Sequence, residues 1–172
     1  NILSEVTHAE TVMIPTLYAN DMPTNDSYLA RQWHYKNTGQ TGGTAGADIN
    51  LFEAWKKTMG SKDVIVAIID GGILLEHPDL ARNLWVNEAE YNGEKGKDND
   101  GNDYINDIYG WNFVDNTPFI SPHFHGTHVA GTVSAENNNG EGVAGVAGGT
   151  GNGDGVRLMS CQIFAGKYQT SA

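Results

Sequence analysis

The chain has 172 residues, 39% hydrophobic and 18% charged, with a formal net charge of −11. That length and balance suit one globular domain and exclude a disordered chain. The acidity disfavours nucleic acid as a partner and favours cations, calcium first; no apolar run approaches the roughly 18 residues of a membrane span.

In chain order, residues 1–22 are of mixed polarity, with Pro15 and Pro23 as breakers, and read as a strand and linker. The chain opens on Asn1 without a basic region before an apolar stretch, so no signal peptide is visible, and a start without Met points to processing or trimming. Residues 37–46 form a Gly/Thr loop. Asp48 to Trp55 is expected as a short helix, with Asn50 as its cap and Leu51, Ala54 and Trp55 on one face.

Val64 to Ile69 is a continuous apolar run that ends at Asp70 and is broken by Gly71 and Gly72. Its length and β-branching predict a buried parallel strand. An acid at the carboxyl end of such a strand stands where open α/β sheets place their sites. Residues 92–107 are polar and acid-rich, hence a loop. Gly126 to Ala135 is a run of small and β-branched residues, read as a buried helix whose glycines allow close packing. Residues 137–155 form a second loop, and Val156 to Phe164 returns to strand character. This alternation predicts an α/β fold, and no internal repeat is present. The single cysteine, Cys161, cannot form an internal disulfide and is expected as a packed, inert thiol on that last strand.

The segments VIVAIIDGG, HPDL and HGTHVAGT, together with QWHYKNTGQTGG, DNDGNDYINDIYGWNF and NNNGEGVAGVAG, resemble the subtilase family from about Asn25 to Tyr168. The resemblance implies a three-layer subtilisin-like fold with a mostly parallel central sheet, of which residues 23–172 form the N-terminal part. It implies a serine endopeptidase with a triad in the order Asp, His, Ser. Here Asp70 would hold the imidazole and His125 would be the general base. One departure is Gly71, where the family usually has Ser or Thr. His128, near one helical turn after His125, is expected as a packed structural residue. The GTSMA-like serine segment and the oxyanion Asn of the family do not occur, so both are expected beyond residue 172, in a remainder of the same protease. Gly166, Lys167 and Tyr168 occupy the place of the family's edge segment that pairs with substrate backbone; the alternative is a frayed terminus.

Asp98, Asp100, Asn102 and Asp107 crowd one loop. The spacing begins like an EF-hand, but Asp103 stands where its Gly should be and Tyr109 where its bidentate Glu should be. The loop resembles the DxDGNGYxDD segment of many subtilases, which implies structural calcium; the alternative is a solvated acid loop. The resemblance implies a second calcium site at Asp26, Asp79 and Asn138, with Glu141 as an apparent insertion. EVTHAETV at 5–12 is similar to the last strand of a subtilase inhibitory prodomain. Residues 1–22 are therefore a prodomain tail or an N-terminal extension. The implied setting is secreted, extracellular or at the cell envelope, with peptides or proteins as substrate.

Two other classes compete. One is a catalytically incomplete binding module of the same fold. The other is a zinc metallohydrolase using His123, His125 and His128, although Thr127 stands where that motif needs Asp.

Overall fold

The computed structural model of the chain describes residues 22–165 and the backbone of 168–169. Residues 1–21, nearly all of the prodomain-like segment, lie outside the described residues, as do Gly166 and Lys167 of the expected substrate edge. The elements are α1 Leu51–Trp55, β1 Ile65–Asp70, α2 Glu88–Asn92, β2 Gly110–Asn112, α3 Phe124–Ser134 and β3 Arg157–Gln162. Two short strands, β4 Phe164–Ala165 and β5 Tyr168–Gln169, follow as an antiparallel pair in which Ala165 faces Tyr168.

The fold is a mixed helix and strand architecture around a parallel sheet, as the alternating pattern predicts. β3 is central: it pairs in parallel with β1 from Ile65↔Arg157 to Asp70↔Gln162, and with β2 from Gly110↔Ser160 to Asn112↔Gln162. This register sets Asp70, Gln162 and Asn112 level at the carboxyl edge of the sheet. All three are buried. Parallel neighbours need a crossover, and α3 is the one between β2 and β3. It packs on one sheet face in a cluster with Ile68, Ile73, Leu80, Leu84, Ala130 and Leu158. A second cluster, built on Leu29, Tyr35, Leu51, Trp55 and Ala144, ties the N-terminal segment to the loop after α3. There the Tyr35 hydroxyl donates to the Ala144 carbonyl at 2.9 Å, and the Trp55 indole donates to the Val146 carbonyl at 2.8 Å.

Several expectations need correction. The β1 run is buried on one face only: Ile68 is enclosed, while Ile65 and Ile69 are 50% and 65% exposed. No helix covers that second face among the described residues. Cys161 lies half-buried on β3, and desolvation pushes its thiol up. Asn50 does not cap α1 with its side chain; it adopts a left-handed backbone, and Asp48 accepts its amide at 2.7 Å. α3 begins at Phe124, two residues before the expected Gly126, which places His125 inside its first turn. His128 is exposed rather than packed.

Candidate active site

Asp70 ends β1 and is 7% exposed. His125 Nδ1 lies 2.9 Å from its Oδ1 and 2.8 Å from its Oδ2. The His125 side chain is 58% exposed. A carboxylate rooted in a sheet thus grips one ring nitrogen, and the other side of the ring meets solvent. Asp70 Oδ1 also accepts the Gly71 amide at 2.6 Å, which fixes the carboxylate plane.

The two residues meet because the turn after β1 is fastened to the start of α3. The His123 amide donates to the Gly72 carbonyl at 3.2 Å. Thr127 Oγ1 donates to the His123 carbonyl at 2.9 Å and accepts the Leu74 amide at 3.0 Å. Gly126 passes so close that an added Cβ would lie 2.6 Å from the Gly72 carbonyl oxygen and 3.2 Å from Asp70 Oδ1. The small and hydroxylic residues of HGTH are therefore the docking surface of the helix. From the sheet, buried Gln162 accepts the Ser121 amide at 2.8 Å and steadies the segment before α3. Gln162 and Thr127 escape sequence reading because the bonds that tie them across the site run to backbone amides more than 40 residues away, at Ser121 and Leu74.

Gly71 has a steric reason. A Cβ there would lie 2.8 Å from His123 Cβ and 2.8 Å from Phe164 Cε2. The room for a hydroxyl beside the Asp70 carboxylate is taken by these two rings, 5.5 Å apart in an edge-on contact. Gly71→Ser forces them to move, an overpacking cost of about 1–3 kcal/mol. A melting temperature several degrees lower is expected by calorimetry of the complete protease; no change would contradict this packing.

The acid loop is drawn together as expected. Asn87 Nδ2 donates to Asp100 Oδ2 at 2.9 Å and to Asp107 Oδ1 at 2.8 Å. Asn102 Nδ2 donates to Asp100 Oδ2 and Asp107 Oδ2, both at 3.1 Å. Burial raises the Asp107 pKa, and repulsion from Asp100 and Glu90 adds to the rise. Asp98 behaves oppositely: the Asp103 amide, with those of Gly101 and Asn102, holds it below the usual carboxylate range. Sequence reading missed Asn87 and Glu90. Glu90 is 3% exposed and accepts the Asn99 and Asn106 amides. With Asp98 and Asp100 it forms the one convergent set of three His, Cys, Asp or Glu donors among the described residues. His123, His125 and His128 form no such set, which leaves the zinc reading without support.

At the second acid pair, Asp26 accepts the Asn138 and Asn139 amides at 3.0 and 3.4 Å. The Asn138 side chain turns to the Thr150 carbonyl, while Asn139 Nδ2 donates to Asp79 Oδ1 at 2.8 Å. Burial raises the Asp79 pKa, and the charge on Asp26 raises it further.

A sheet-borne acid, buried and gripping a solvent-facing imidazole at a helix start, has the geometry of an acid–base pair. Comparison with known proteins narrows the class. The profile described as the subtilase family matches residues 61–151, more than half of the chain. Over 128 residues the chain is 38% identical to subtilisin-like protease 1 of Plasmodium vivax, covering 72% of this chain and 18% of that protein. It is 37% identical over 126 residues to neuroendocrine convertase 2 of Bos taurus, covering 69% and 16% respectively. A serine protease of Aeromonas sobria, solved in complex with a chaperone, superposes with a TM-score of 0.61 at 25% identity, covering 86% of this chain and 21% of that one. This chain belongs to the subtilase family. It spans less than a fifth of the length of either curated relative.

Proposed function

We propose that the chain supplies the acid and the base of a subtilisin-like serine endopeptidase. The observation that carries this reading is the two-oxygen grip of Asp70 on His125 Nδ1. It fixes the tautomer that leaves Nε2 as the proton acceptor. A serine from the rest of the protease would attack the peptide carbonyl carbon as its Oγ proton passes to Nε2. The tetrahedral oxyanion would be held by an Asn donor, also outside this chain. His125 then returns the proton to the amine nitrogen, the C–N bond breaks, and water repeats the sequence on the acyl-enzyme. Asp70 keeps its negative charge throughout and stabilises the imidazolium.

Substrates are peptides and unfolded proteins, recognised as extended chains along the edge that includes Tyr168. An inhibitory prodomain or a chaperone is the expected folding partner, and the protease acts outside the cell or at its envelope. The test is digestion of an unfolded protein by the complete protease. Internal cleavage that a serine-directed phosphonylating reagent abolishes supports the reading; activity insensitive to that reagent opposes it.

Calcium is the resident ion of this reading. The donors at Asp98, Asp100, Asn102 and Asp107 are hard oxygens, and the amide of Asn87 presents oxygen instead of nitrogen on a half-turn. Asp26, Asp79 and the Asn138 loop are the second site. A divalent ion would offset the burial, and with it the repulsion, that raise Asp107 and Asp79. Excess chelator should lower the melting temperature by several degrees, because the ion binds the native state alone. In chelator, Asp107→Asn should raise the melting temperature and Asp98→Asn should lower it. Calorimetry checks both signs; an unchanged curve on chelation would count against structural calcium.

A further inference from the structure

We propose that His123 is a positioning residue for His125, acting as the side-chain cap that holds the catalytic helix against the Asp70–Gly71 corner. His123 is the N-cap of α3, with extended backbone, and its Nδ1 accepts the His125 amide at 3.2 Å. Its carbonyl accepts Thr127 twice, through amide and hydroxyl, and its own amide binds the Gly72 carbonyl. Every polar group of this residue that the structure shows bonded thus fastens the turn that carries the general base. Its ring lies against Phe164, and Phe164 also faces the His125 ring at 6.5 Å. Gly71 yields the room for this arrangement. Side-chain capping is ordinarily done by Ser, Thr, Asp or Asn. An imidazole does the same work only while its acceptor nitrogen is unprotonated.

Protonation of His123 has two consequences. Nδ1 becomes a donor facing the His125 amide, so the cap is lost. A positive charge also appears at a helix N-terminus, where the dipole opposes it, and beside the imidazole that must itself become positive in catalysis. The charged and titratable groups around His123 are Asp70 from β1, His125 and His128 from its own helix, and His34, His77 and Asp79. His34, His77, Asp79 and His128 share with it a cavity of about 530 Å³ beside α3. β4 contributes only the uncharged Phe164.

The inference rests on the reading of Asp70 and His125 as the catalytic pair, and its test separates the two. The complete protease is assayed on a peptide substrate in excess calcium from neutral to acid pH, as wild type, His123→Ala and His123→Asn. The Ala variant should lose about five- to tenfold in kcat at neutral pH with KM little changed, the size of a lost cap. The Asn variant restores a neutral acceptor and should recover most of that loss. The acid limb of kcat/KM should fall in the wild type about five- to tenfold further than one titrating group allows, and follow a single proton in both variants. Superimposable acid limbs for wild type and Asn variant, or full kcat in the Ala variant, would overturn the role of His123. If His125→Ala is inactive while those outcomes hold, the catalytic pair stands and only this inference fails.

Discussion

Asp70→Asn and His125→Ala should each lower kcat of the complete protease by about 10⁴ or more, with KM nearly unchanged. The two losses have different causes. Removing His125 leaves the serine hydroxyl without an acceptor for its proton. Asn at 70 keeps the shape and can still accept the Gly71 amide, but its NH2 group meets His125 Nδ1. The ring then turns its acceptor nitrogen inward, and Nε2 carries the proton it should receive. Because both groups act in one proton transfer, the double variant should be little worse than the worse single one. Thermal unfolding of Asp70→Asn should stay near wild type, which separates a tautomer effect from a folding effect. Near-normal turnover by either folded variant would defeat the role assignment.

Lysines at Ile65 and Ile69 should have opposite effects in the isolated chain and in the complete protease. A parallel sheet has both faces covered, yet on β1 these two side chains lie half or more in solvent. We infer that the rest of the protease covers this face. Burying an isoleucine is worth about 1.5–3 kcal/mol, so the double replacement removes a large fraction of a domain's net stability. In the complete protease it should abolish most of the folded yield. In residues 1–172 expressed alone, the wild-type face should drive association, and the lysines should raise the soluble fraction severalfold. Size-exclusion chromatography and soluble yield read both arms. A complete double variant that melts like wild type would show that nothing packs there.

Much of the candidate site is legible in the sequence. Asp70 is visible because an apolar β-branched run stops at an acid and two glycines, and this physical break ends β1. His125 is visible through HGTH, whose Gly126 and Thr127 prove to be the contacts that dock the helix. β2 is harder to read: Gly110–Asn112 is too short to show a period, and β3 alone makes it a strand. The first turn of α3 is not legible because His123, a poor helix former by type, caps it by a side-chain bond that propensity does not encode. The uncovered face of β1 is foreseeable, since a continuous apolar run needs cover on both faces and only the first few strands of such a sheet are readable in these residues. Glu90 carries no sequence signal because its role lies in two backbone amides, at Asn99 and Asn106, contributed by a loop it does not belong to.

The most direct measurement is covalent labelling of the complete protease with a phosphonylating reagent, followed by mapping of the modified peptide by mass spectrometry. One labelled serine is expected, outside residues 22–165, with labelling that His125→Ala and Asp70→Asn slow by orders of magnitude. Label on Ser134 or Ser160, or labelling at the wild-type rate in the His125→Ala variant, would contradict it.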